Sequence, residues 1–166
     1  MPATYEPIAT TTLGSAAASI TFSSIPATYT DLRVVIVGNT SNSTQAQSWL
    51  RFNSDSTNLY SSTWIYGDGS TAGSIRVSSQ TQMRGQILNG GSTAMGLGIY
   101  DIFSYAGSTN KTVLTDVSAD ANGSGRVDRM VGLWRSTSAI NAIEFSIFAG
   151  NWITGTTATL YGIKNA

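Results

Sequence analysis

Seven aspartates and two glutamates are the only strong acid–base groups in this chain of 166 residues, which contains no histidine and no cysteine. Histidine is the usual general base and metal ligand, and without it no Ser-His-Asp arrangement can form. Cysteine is the usual soft nucleophile, zinc ligand and crosslink, so thiol chemistry and a disulfide framework are absent too. A carboxylate pair is the remaining catalytic option, and glycoside hydrolysis needs two such groups facing each other about 5–10 Å apart. Asp101 and Asp116 could neighbour each other across a hairpin. Their plainer reading is two polar positions on paired strands. Asn53-Ser54-Asp55-Ser56-Thr57-Asn58 offers oxygen atoms at alternating positions, as a calcium loop does. It lacks the central glycine and closing glutamate of such a loop. It reads equally as a strand connection whose Asn and Asp side chains cap their own backbone. Gly67-Asp68-Gly69 is a turn, and Gly90-Gly91 and Gly96-x-Gly98 have no following lysine to make a phosphate loop. No catalytic, cofactor or metal residue is assigned, and an enzyme is not expected.

The aromatic residues offer a different chemistry. Exposed rings can stack on sugars or anchor a protein partner, whereas rings at alternating strand positions fill a core. Tyr60, Trp64 and Tyr66 lie close together, and Trp134 is followed by Arg135. These five are the candidates for an interface or a ligand-facing surface, with the core as the alternative. Trp134 and Arg135 are expected to stack at a strand end.

The elements that position these residues are strands. Charged residues make up 11% of the chain and net charge is zero, against about 25% charged in an average domain. Lys111 and Lys164 are the only lysines. No basic cluster exists for nucleic acid, and no apolar run approaches the roughly 20 residues that span a bilayer. The N-terminus lacks the basic and apolar regions of a signal peptide, so synthesis and folding in the cytosol are expected. A neutral, weakly charged surface favours self-association.

Period-two alternation dominates. Ala18–Phe22, Ser48–Asn53, Leu59–Tyr66, Ser74–Ser78, Leu97–Tyr105, Lys111–Val117, Val127–Arg135, Ala142–Phe148 and Thr157–Ile163 all read as strands. Leu32–Gly38 is a near-continuous β-branched run, as for a strand buried on both faces or in a sandwich core. Met83–Leu88 and Ser43–Gln47 are the only candidates for a helical turn. The expected fold is all-β: an antiparallel, jelly-roll-like sandwich of about ten short strands in one domain over residues 1–166, with residues 1–17 as a candidate extended N-terminal arm. Two lysines, and three prolines all before residue 27, give little edge protection. Either the edges are short or a partner covers them, and the partner is the favoured reading.

Several segments resemble a family of small virion structural proteins of tailed bacteriophages. They are Ile20-Thr21-Phe22-Ser23-Ser24-Ile25-Pro26-Ala27-Thr28-Tyr29-Thr30-Asp31-Leu32-Arg33, Leu50–Asp55 with Asn58–Ser61, Gly132–Ser136, Ala139-Ile140 with Ile143, and Thr159–Ile163. None is a catalytic motif; what is specific is their order along the chain. Many relatives carry glycine where this chain has Ser54, so a left-handed backbone is not expected there. The resemblance implies a phage structural protein: a capsid decoration or cement protein, a head or tail appendage, or a fibre domain. The leading expectation is a capsid decoration or cement protein located in the virion, a homotrimer bound to the major capsid protein or other virion proteins, with no cofactor, nucleic acid or membrane. The alternative is a receptor- or glycan-binding module of a tail fibre or baseplate.

Overall fold

The protein is described from a computed structural model covering residues 4–42, 46–88, 94–120 and 123–164, with side chains of 85–88 left aside. Twelve strands and no helix occur among these residues. The larger sheet contains β1 (Tyr5–Thr12), β3 (Asp31–Gly38), β5 (Tyr60–Gly67), β6 (Ala72–Gln80), β8 (Gly96–Phe103), β9 (Lys111–Asp120), β10 (Gly125–Trp134) and β12 (Thr157–Ile163). The smaller contains β2 (Ser19–Phe22), β4 (Ala46–Phe52), β7 (Met83–Leu88) and β11 (Ile143–Ile147). Their orders are β1-β12-β3-β8-β9-β10-β5-β6 and β2-β11-β4-β7, with antiparallel pairing. The all-β antiparallel sandwich expected from the alternation is the fold. Its eight-plus-four split differs from the eight strands of a jelly roll.

Alternation decides which side chains meet between the sheets. On β3, Leu32, Val34 and Ile36 are fully buried, while Val37 on the opposite face is 44% exposed. The smaller sheet answers with Ile20, Phe22, Leu50, Phe52, Ile143, Phe145 and Ile147, all in one core cluster. Each such aliphatic side chain contributes about 1.5–3 kcal/mol by leaving water. Tyr100 spans the layers: its ring meets Phe145 edge-on at 4.8 Å and its hydroxyl lies 3.1 Å from Ser48 Oγ.

Two elements depart from the sequence expectation. Met83–Leu88 is strand β7, not a helical turn; it pairs with β4, and Met83 is fully buried beneath the larger sheet. The ladder outweighs the weak local preference of a short mixed segment. Residues 43–45 of the other expected helical turn lie outside the described residues, and Ala46 and Gln47 open β4. In the N-terminal segment, residues 5–12 form β1, paired with β12 at the sheet edge.

Three of the four edge strands, β1, β2 and β6, carry their own protection. β2 has four residues, and β1 has Pro7 with a register shift between Pro7 and Ala9. β6 carries Arg76, a register shift opposite Tyr60–Ser62, and Ser79 at φ 53°. Short edges, proline and bulges all discourage strand addition. What this chain leaves open is a face.

Candidate functional site

The β4–β5 connection shows what the shared motif residues do. Asp55 N–H donates to Phe52 O at 2.8 Å, and the central residues Asn53 and Ser54 have φ of 51° and 57°. Positive φ at both positions is the type I′ pattern, which favours Asn-Gly. Ser54 is therefore left-handed here, contrary to expectation, because the turn is fixed from outside. Asn53 Oδ1 accepts from the amides of Asn141 and Ala142, and Asn53 Nδ2 donates to Ala139 O. A non-glycine residue in this region costs about 1–2 kcal/mol. Ser54→Gly is expected to stabilise the protein by about 1 kcal/mol in urea unfolding; a loss of stability would mean that the serine side chain matters more than its backbone.

Asp55 closes the same connection. Its Oδ1 accepts from Thr57 N–H at 2.8 Å and Thr57 Oγ1 at 2.5 Å, and its Oδ2 accepts from Trp134 Nε1 at 2.7 Å. Burial pushes this carboxyl up, but the hydrogen bonds from Thr57 and Trp134 outweigh it and hold it below the usual range. The Asn53 and Asp55 side-chain oxygens of the segment that resembled a calcium loop are thus occupied by the chain's own donors. No cluster of three or more metal-ligating side chains occurs among the described residues.

The aromatic candidates divide. Tyr60, Trp64 and Trp134 are buried, at 0%, 5% and 2% exposure, so they face the core and no ligand. Trp134 stacks on Tyr60 with centroids 6.2 Å apart and also meets Phe52 at 5.5 Å. It does not stack on Arg135, because consecutive strand residues point to opposite faces. Arg135 instead donates to Asn58 O at 3.0 Å and Ser61 Oγ at 3.3 Å. Tyr66 is half-buried under Arg126, which lies 3.9 Å over its ring and forms a bidentate pair with buried Asp128. The five candidates do not converge on one surface. An exposed aromatic pair lies elsewhere: Trp49 meets Phe148 at 5.0 Å, and Phe148 is 53% exposed. Their out-of-phase positions beside Leu50 and Ile147 were the available sequence signal.

Asp101 and Asp116 also part company. Asp101 pairs with Leu114 across the β8–β9 ladder, and Asp116 with Ile99. Each has its own arginine: Asp101 accepts from Arg33 Nε at 2.6 Å and Nη2 at 2.8 Å, and Asp116 lies 3.4 Å from Arg129. Each carboxylate thus turns to an arginine of a neighbouring strand, Arg33 on β3 and Arg129 on β10, and the two are not paired with each other across the ladder.

Lys111 is fully buried, and its Nζ donates to the carbonyls of Gly107 (2.7 Å) and Thr109. Desolvation pushes its pKa down. Its role is to close the β8–β9 turn. Lys111→Met is expected to cost about 2 kcal/mol in urea unfolding, since two carbonyls lose a charged donor; wild-type stability would mean that water replaces the ammonium.

The surface feature that remains is the outer face of the larger sheet. The registers align its side chains in rows across five strands. One row is Val37–Leu97–Ser118–Val127–Gly67, and the next is Val35–Ile99–Asp116–Arg129–Ile65. A third is Arg33–Asp101–Leu114–Val131–Thr63. Ile65 and Val127 are 60% and 61% exposed, and Val131 is 46% exposed. A shallow depression of about 420 Å³ lies between Ile65, Leu97, Ile99 and Val127. Apolar side chains thus flank two ion pairs, Arg33–Asp101 and Arg129–Asp116, on this face, and exposed apolar side chains grouped in this way mark an interaction surface.

No family model matches this chain, and no curated protein matches it. Among solved structures it is similar to the crystal structure of Caenorhabditis elegans galectin LEC-6, at 10% sequence identity and TM-score 0.33, over 94% of this chain and 96% of that one. A likeness at that level brings nothing about binding to this chain.

Proposed function

We propose that this chain is a bacteriophage virion structural protein, a capsid decoration or cement protein that stabilises the head through protein–protein contacts. The observation that carries the reading is the apolar outer face of the larger sheet, bordered by Val37, Leu97, Ile65 and Val127. Such a face gains about 25 cal/mol for each Å² it buries against a partner. A second support is the placement of the residues that carry the family resemblance. Asn53, Asp55, Trp134 and Arg135 tie strand ends to one another. Gly162 lies under Tyr29, where a Cβ would fall 2.4 Å from the ring. These are fold-forming roles, as a binding scaffold needs. Copies of the chain would sit as homotrimers at local threefold positions of the capsid, against the major capsid protein. The glycan-binding alternative drew on Tyr60, Trp64, Tyr66 and Trp134; Tyr60, Trp64 and Trp134 are buried, and half-buried Tyr66 lies under Arg126, so less supports it.

A particle reconstruction from a phage encoding the chain tests the proposal. Symmetric density for the sandwich on the head, with capsids lacking the gene losing DNA at a lower temperature, is the expected result. Particles without the chain, or density confined to a tail tip, would overturn it.

A further inference from the structure

We infer that the outer face of the larger sheet is where copies of this chain pack on one another. The inference rests on the reading of that face as an assembly surface and names its occupant.

The sequence itself carries the first argument. Val34-Val35-Ile36-Val37 is the continuous apolar run of a strand covered on both sides. The chain covers one side only: Val34 and Ile36 are fully buried, and Val37 is 44% exposed. β10 repeats the pattern, with Met130 buried and Val127 and Val131 open. Among the described residues nothing covers the other side, and that layer is expected in the assembly.

Charge selects a copy of the same chain as that layer. The face carries two ion pairs within its own registers, Arg33–Asp101 and Arg129–Asp116. Within the three rows these charges cancel, so the centre of the face neither repels itself nor draws a strongly charged partner, while Asp120 on β9 and Arg76 on β6 add one charge of each sign at its margin. The Arg129–Asp116 pair is loose and open, at 3.4 Å with side chains 66% and 59% exposed. Turned over on a second copy, Arg129 of one chain can reach Asp116 of the other, and the reverse, which makes the patch self-complementary.

Area agrees. Five strands about 4.8 Å apart and about seven residues long give a projected face of roughly 24 Å by 23 Å, about 550 Å². Side-chain relief raises the accessible area toward the ~800 Å² per partner of a standard interface. Two chains can meet face to face. Three can meet around an axis, with the Val37–Leu97 half of each against the Val127–Ile65 half of the next.

The test is the mass of the purified full chain by sedimentation equilibrium, for wild type and for Val127→Lys/Val131→Lys. Both side chains are exposed on the free chain, so circular dichroism should match wild type, and urea unfolding should match at concentrations low enough that both proteins are monomeric. The wild type is expected to be a dimer or trimer, with self-association weakened about a hundredfold or more in the variant, because two ammonium groups would be buried without partners. Phe148→Lys, on the opposite side of the sandwich, should leave the assembly intact. A monomeric wild type, an oligomer that the double variant leaves unchanged, or equal disruption by Phe148→Lys would each overturn the inference. Incorporation into virions is scored separately. A monomer found on particles sinks this inference and spares the virion role; an oligomer absent from particles does the reverse.

Discussion

Gly132→Val is expected to destabilise the protein by about 3 kcal/mol or more. Gly132 sits in the middle of β10, opposite Ser62 on β5 and Val113 on β9. Its missing side chain is filled by Met83 from β7 of the other sheet. A Cβ at this position would fall 2.1 Å from Met83 Sδ, 2.7 Å from Cε and 3.0 Å from Cγ. Methionine is flexible, but this one is fully buried, so its sulfur has no solvent to move into. A branched residue leaves it no space, and the two sheets must separate locally. Met83→Ala alone should cost about 2–5 kcal/mol by opening a cavity. Met83→Ala with Gly132→Val should cost clearly less than the sum, because the valine occupies the space the methionine vacates. A double-mutant cycle by urea unfolding reads this coupling. Additive costs would mean that the two residues do not share the contact.

The same site explains what could be read from the sequence and what could not. β3 and β8 were legible because their β-branched and aromatic alternation does not depend on a partner. β7 was not, because Met83-Arg84-Gly85-Gln86 has no clean period and becomes a strand only by pairing with β4. β1 was legible only as extended chain: at a sheet edge, Ala9, Thr10 and Thr12 stay exposed and need no apolar alternation. Asp101 and Asp116 were placed on the right hairpin. Their arginines come from β3 and β10, and the Arg33–Asp101 contact spans 68 residues, which no local pattern reveals. Tyr60 and Trp134 were visible as large rings, but their burial follows from the stack with Phe52 between the sheets. The outer face was written in the sequence as strands too apolar for a one-sided sheet. What no local pattern reveals is that the described residues cover only one side of that sheet.

Asp55→Ala is the second large effect, expected at about 2–3 kcal/mol at neutral pH, or a fall in Tm of roughly 5–10 °C. The carboxylate holds three donors at once: the Thr57 amide, the Thr57 hydroxyl and the Trp134 indole. Removing it leaves Trp134 Nε1 without its acceptor on a side chain that is 2% exposed. Trp134→Phe removes the donor itself and keeps the ring against Tyr60 and Phe52. The pair of substitutions should therefore cost less than the sum of the two. The pH dependence carries a sign. Hydrogen bonding outweighs burial and holds the folded carboxyl below the ordinary aspartate value of about 3.9, so the stability it contributes is fully present above that pH. It is lost as pH falls through the lower, folded value. The gap between wild type and Asp55→Ala should then be widest near neutrality and narrow below about pH 4. Urea midpoints measured across that range decide it. A gap that stays constant with pH would show that the alanine acts through packing alone, and that the charge on Asp55 does not hold Trp134 in place.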